Sequence, residues 1–179
     1  ISPLSAGLSR SAQVCGACHT SDGTRGLPAN PILQDQHPEY LVKQLTEFKS
    51  GKRENAVMTA MASTLNEADM KNVAAFYASK QAKPGAATNK DTVRMAERIY
   101  RGGIVDRRIP ACAGCHTPDG AGIPAQYPRL GGQHAEYAAA QLTAFRDGTR
   151  NNSEQMTGIA ARLNDREIKA LADYMAGLR

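Results

Sequence analysis

The sequence predicts an all-α fold built twice. Its halves repeat each other: "QHPEYLVKQLTEFKSGKREN" (36–55) matches "QHAEYAAAQLTAFRDGTRNN" (133–152) at an offset of 97 residues. After one inserted residue, "MTAMASTLNEADMKNVAAFYAS" (58–79) matches "MTGIAARLNDREIKALADYMAG" (156–177) at 98. Within each copy apolar residues recur at helical spacing behind recognisable caps, and no stretch alternates as a strand would. Two copies at so long a period indicate a duplicated domain and not a solenoid.

Taken in order, residues 5–14 suggest a short, weakly apolar opening helix. Pro38 suits the first turn of a helix in which Leu41, Leu45 and Phe48 share a face, and Gly51 suits its end. Asn66, with Asp69 three residues on, caps a last helix whose Met70, Val73, Ala74 and Tyr77 form an apolar stripe. The stretch "KQAKPGAATNKD" (80–91) breaks the pattern at Pro84-Gly85. The expected organisation is a first domain at 1–83, a linker at 84–91 and a second domain at 92–179. In the second copy a helix at 92–101 turns Val93, Ala96 and Tyr100 inward. A second helix carries Ala138, Leu142 and Phe145 and stops at Gly148. The last, capped by Asn164 with Glu167, buries Ile168, Leu171, Ala172 and Met175.

Composition limits what such domains can bury. The 179 residues are 41 % apolar, with no Trp, three Phe and six Tyr. A domain of half that length buries a small fraction of its surface, so something other than side chains is expected to help fill each interior. No run of about 18 apolar residues is present. The opening "ISPLSAGLS" lacks an initiator Met and a signal peptide's apolar core, as a processed or shortened chain would. The net charge of +5 is dispersed, with 9 basic and 7 acidic residues in 1–83 and 13 and 10 in 84–179. Nucleic-acid binding is therefore not expected, because phosphate recognition needs concentrated positive charge.

All four cysteines fall in the repeat, in "CGACHTSDG" (15–23) and "CAGCHTPDG" (112–120). A zinc ribbon needs its second pair of thiolates about 15–20 residues away, and these pairs lie 97 apart. A redox dithiol belongs at a strand-to-helix junction that an all-α chain does not offer. Covalent haem attachment uses every residue of the motif. The two thiols add to the porphyrin vinyl groups and the next histidine becomes an axial iron ligand. Each copy is thus expected to hold one haem c, through Cys15, Cys18 and His19 and through Cys112, Cys115 and His116. The haem would also supply the missing core.

The opposite axial position decides between electron transfer and chemistry at an open iron. A ligand common to both copies should occupy matched positions. Met61 aligns with Ile159, Met70 with Ile168 and Met175 with Tyr77, and Met95 has no counterpart; the last three read as core residues. Two pairs remain: Met58 with Met156, and His37 with His134. The methionines are expected in a loop before each last helix, able to fold over the far haem face, and are the preferred ligands. The histidines directly precede a helix start, where capping or a surface hydrogen bond is the simpler role. Met61 in place of Met58 stays open. A thioether favours ferrous iron and raises the potential relative to bis-His ligation. Pro31 and Pro128 are also matched, in "NPIL" and "YPRL", and read as rigid turns.

In these stretches, and most specifically in "RGGIVDRRIPACAGCHTPDG", "YPRLGGQHAEYAAAQLTAFRDGTR" and "MTGIAARLNDREIKALADYM", the chain resembles the dihaem cytochromes of the cytochrome c4 family, two class I cytochrome c domains in tandem. The resemblance implies axial pairs His19/Met58 and His116/Met156. It also implies that the carbonyls of Pro31 and Pro128 accept hydrogen bonds from the haem histidines. It further implies a periplasmic electron carrier, soluble or loosely membrane-associated, between a quinol-oxidising complex and a terminal oxidase. The first copy departs from the family: "SAGLSRSAQV" lacks an aromatic like Tyr100, "TSDGTRGLPANPIL" is unusual, and "QDQH" replaces a Gly-rich turn. Alternatives are a dedicated subunit taking electrons from a periplasmic dehydrogenase, and a dihaem enzyme with one open iron. Matched methionines and the lack of a spare cysteine speak against the enzyme.

Overall fold

The computed structural model describes residues 14–179, so the opening helix expected over 5–14 lies outside the described residues except for Val14. The described residues separate into two compact units, 14–83 and, apart from the short stretch 124–126, 84–179. Both are helical. Among the described residues the only bridges are isolated ones, Ile104 with Ile109 and Ile123 with Tyr127. No helix among them is long and apolar enough to cross a membrane.

The first unit contains α1 (Gly16–His19), α2 (Pro38–Ser50), α3 (Ala56–Ser63) and α4 (Glu67–Ala78). Pro38 opens α2, where a missing N–H costs nothing, and Gly51 closes it at φ 77°. Helix α4 starts in a complete capping box between Asn66 and Asp69. Helices α3 and α4 pack on α2, burying Leu41, Val73, Ala74, Phe76 and Tyr77 with Cys15 against them.

The second unit contains α5 (Val93–Gly102), a 3₁₀ turn at Val105–Arg107, α6 (Ala113–His116), α7 (Ala135–Asp147), α8 (Glu154–Ala160) and α9 (Asp165–Ala176). Its last helix starts in the matching box of Asn164 and Glu167. Helix α9 packs against α5 and α7, and the core includes Ala96, Tyr100, Leu142, Ile168, Leu171 and Met175. The segment 84–91, expected as a linker, is tied to this unit. Amides of Thr88 and Asn89 donate to the Asp173 carboxylate at 2.9 and 3.0 Å. Those bonds hold the Asp173 carboxyl below its usual range, although burial pushes it up.

One expectation is corrected. Met58 and Met156 lie not in loops but on the short helices α3 and α8, each at the third residue. The cause is local capping. Asn55 Oδ1 accepts from the Met58 amide at 2.9 Å, and Ser153 Oγ accepts from the Met156 amide at 3.4 Å.

Candidate functional sites

Each Cys-x-x-Cys-His forms one helical turn. Cys15 and Cys112 precede α1 and α6 with helical backbone angles, φ/ψ of −83°/−32° and −59°/−35°. The second cysteine and the histidine, at i+3 and i+4, therefore share a face with the first. In the second unit the amides of Cys115 and His116 both donate to the Cys112 carbonyl, at 3.2 and 2.8 Å.

The histidines are buried, 8 % exposed for His19 and 6 % for His116. His19 Nδ1–H donates to the Pro31 carbonyl at 2.9 Å, and His116 Nδ1–H donates to the Pro128 carbonyl at 2.9 Å. A carbonyl can only accept, so the proton sits on Nδ1 and Nε2 keeps its lone pair. Burial pulls both imidazoles below their ordinary pKa, and the bonds to the proline carbonyls only partly oppose it. Each site thus presents a neutral imidazole, oriented and made more basic by its carbonyl partner, in the form that binds a metal.

The residue after each histidine is held in an unusual conformation. Thr20 has φ 55° and ψ 162°, and Thr117 has φ 67° and ψ 157°, a region β-branched residues rarely occupy. The Thr20 carbonyl accepts from Tyr77 Oη–H at 3.0 Å, and the Thr117 carbonyl from Tyr100 Oη–H at 2.8 Å. Sequence comparison of the repeats misses this pairing, because the two tyrosines are not at matched positions.

Met58 is half-buried, whereas Met61, one turn further along α3, is 40 % exposed. Met156 is packed against the second core. His37 and His134 occupy the N-cap positions of α2 and α7 but make no side-chain cap bond. Their own amides donate to Gln36 Oε1 and Gln133 Oε1, at 3.0 and 2.9 Å. His134 is buried rather than superficial.

The units differ around the histidine. Tyr127 stands edge-on to His116 with ring centroids 5.9 Å apart. The matched residue in the first unit is Asn30, whose Nδ2–H donates to the Cys18 carbonyl at 3.0 Å. Gln34 takes the place of Gly131, and its Nε2–H₂ lies 3.3 Å from the carbonyls of His19 and Thr20. Gln34 Oε1 is buried without a protein partner.

The donor set fits haem c: two thiols for covalent attachment, a neutral imidazole, and a soft thioether on a short helix of the same unit. Burial pushes the free Cys112 thiol up to about 11. Among the described residues no three His, Cys, Asp or Glu side chains converge as a metal-binding cluster.

Comparison with known proteins agrees with this geometry. Residues 107–179 match the family model "Cytochrome c", and residues 3–76 match "Cytochrome C oxidase, cbb3-type, subunit III". Cytochrome c4 of Pseudomonas aeruginosa is 44 % identical over 171 residues, covering 93 % of this chain and 85 % of that protein. The chain belongs to the cytochrome c4 family. The crystal structure of reduced recombinant cytochrome c4 from Pseudomonas stutzeri superposes with a TM-score of 0.93 at 40 % identity, covering 98 % of each chain. A thiosulfate dehydrogenase electron acceptor from Stutzerimonas stutzeri is 36 % identical and covers 96 % of this chain and 82 % of that protein. As in cytochrome c4, two tandem cytochrome c domains carry two covalently bound haem c groups, and the protein is a dihaem electron-transfer protein.

Proposed function

We propose that this cytochrome is a periplasmic electron carrier in which Cys15, Cys18, His19 and Met58 hold one haem and Cys112, Cys115, His116 and Met156 the other. Bound haem c supplies one-electron chemistry through the ferrous and ferric states of its iron. The protein's part is to attach, orient and insulate. Pro31 and Pro128 fix the tautomer and angle of the two imidazoles from behind. Helices α3 and α8, pinned by their caps, carry the methionines. His19 with Met58 and His116 with Met156 would hold the two irons from side chains and leave neither open to a substrate, and no side chain is assigned a bond-making role. The observation that carries this reading is the matched pair of 2.9 Å bonds from His19 and His116 to proline carbonyls, combined with matched methionines on capped helices.

The donor and acceptor on this reading are a quinol-oxidising complex and a terminal oxidase. A second reading has a specific observation behind it. The relative named as the electron acceptor of thiosulfate dehydrogenase favours a periplasmic dehydrogenase as donor. Stopped-flow reduction of the purified holoprotein decides between them. Rapid reduction by a quinol-oxidising complex with quinol supports the first, and reduction only by a dehydrogenase with its substrate supports the second. Reduction by neither, with slow turnover of a small substrate instead, would overturn the carrier assignment.

A further inference from the structure

Arg53 and Arg150 occupy matched positions and are buried, 8 % and 7 % exposed. Arg53 Nη1–H donates to Gln44 Oε1 at 2.8 Å, and its guanidinium lies 4.5 Å from the centre of the Phe48 ring. Arg150 repeats the arrangement, with Gln141 Oε1 at 2.9 Å and the Phe145 ring centre at 4.4 Å. Their backbone amides also donate to the helix behind, to the carbonyls of Glu47 and Ala144, each at 3.0 Å. Gln and Phe are four residues apart on α2 and on α7, so each guanidinium lies across one face of a helix that belongs to the core.

Just beyond each arginine a methionine helix begins. Asn55 and Ser153, two and three residues on, are the caps of α3 and α8. The repeat keeps its offset of 97 from Arg53/Arg150 to Asn55/Asn152 and the extra residue comes after them, so that the cap of α8 is Ser153, the residue following the match of Asn55. Arg150 also reaches the residue before that cap: its Nε–H donates to Asn152 Oδ1 at 3.0 Å, and Asn152 is itself buried. Both units keep the clamp on one side and the cap on the other despite the extra residue in the second. A buried guanidinium is a costly way to fasten an ordinary surface turn. Here it fastens, in both units, the turn from which the methionine is delivered.

We propose that Arg53 and Arg150 are positioning residues for Met58 and Met156, holding the α2–α3 and α7–α8 turns so that each sulfur stays on its iron. The inference rests on the methionines being the axial ligands. Its test uses the ferric holoprotein and the rate at which cyanide binds, a rate limited by departure of the methionine. Arg53→Met should raise that rate about ten- to a hundredfold at one haem, as loss of a charge-assisted hydrogen bond would, and leave the other haem unchanged. Arg150→Met should do the reverse, and the Lys variants should recover part of the loss. Should Arg→Met block haem incorporation, Gln44→Leu and Gln141→Leu remove only the partner and should show the same selectivity in smaller degree. Unchanged rates in folded variants, or equal acceleration at both haems, would overturn the proposal. Met58→Ala and Met156→Ala separate the two levels. If neither weakens the far-red sulfur-to-iron band, the ligand assignment fails and the positioning role falls with it. If both weaken it while the arginine variants bind cyanide normally, only the positioning role fails.

Discussion

Tyr77 and Tyr100 hold the equivalent carbonyl in the two units, the first from the last helix of its unit and the second from the first helix of its own. Tyr77, on α4, donates to Thr20 at 3.0 Å, and Tyr100, on α5, donates to Thr117 at 2.8 Å. Both tyrosines are fully buried. The threonines they hold come directly after the haem histidines and sit at φ 55° and 67°, a conformation worth about 1–3 kcal/mol of strain. The second copy finds its hydroxyl on the helix that enters the cysteine motif, and the first finds it on the helix that ends the unit.

Removing either hydroxyl should therefore cost stability locally. Tyr100→Phe takes the hydroxyl donor from the part-buried Thr117 carbonyl, at about 1–2 kcal/mol, and Tyr77→Phe should cost less, because Gln34 Nε2 also lies 3.3 Å from the Thr20 carbonyl. Hydrogen exchange on the holoprotein, resolved to each unit, should show faster opening only in the unit that carries the substitution.

Replacing Met156 by His should convert one iron to bis-His ligation. Because a neutral thioether favours ferrous iron, the potential of that haem should fall by on the order of 0.2 V, within the span axial ligands command. Potentiometric titration should show one wave displaced and the other in place.

The two methionine helices should differ in their dependence on their caps. Asn55→Ala should cost about 1 kcal/mol. Ser153→Ala should cost less, because its bond to the methionine amide is 3.4 Å rather than 2.9 Å. Amide exchange of α3 and α8 in the single variants checks the order.

Acid should loosen the second unit through Glu167. Burial pushes this carboxyl up, but hydrogen bonds from Arg107 and from the Asn164 amide outweigh it, and the folded-state pKa lies below the usual value. The folded state thus binds this proton less readily than the unfolded chain. The stabilisation is present above the unfolded glutamate value and is lost as pH falls through the lowered folded one. Thermal unfolding followed from about pH 5 down to about pH 2 should lose this contribution in the parent protein. Glu167→Gln should start less stable and decline less.

The helices legible in the sequence are those whose signals are local. Pro38 and Gly51 mark both ends of α2, and Asn66/Asp69 and Asn164/Glu167 form the expected capping boxes. The Cys-x-x-Cys-His turns are legible because motif and repeat agree. The partnership of each histidine with a proline carbonyl is legible only through the family resemblance, since the repeat by itself marks Pro31 and Pro128 as turns. Helices α3 and α8 are not legible: at eight and seven residues they are too short to show an apolar stripe, and their caps are single residues. The tyrosine exchange is invisible for another reason. A repeat alignment compares positions along the chain, whereas the Thr20 and Thr117 carbonyls are reached through space. Gln34 against Gly131 is similar. A side chain at 131 would drive into the Asp119 carbonyl, 2.7 Å from where its Cβ would stand, and nothing local announces that crowding or its absence around Gln34.

The proposed function stands or falls on both irons being held by a histidine and a methionine. Far-red absorption of the fully oxidised holoprotein, scaled to haem content, tests this most directly. The expected result is a sulfur-to-iron charge-transfer band of two-haem intensity, halved by Met58→Ala and halved by Met156→Ala. A band of one-haem intensity would leave one iron with another ligand or none, and no band at all would contradict the assignment in both units.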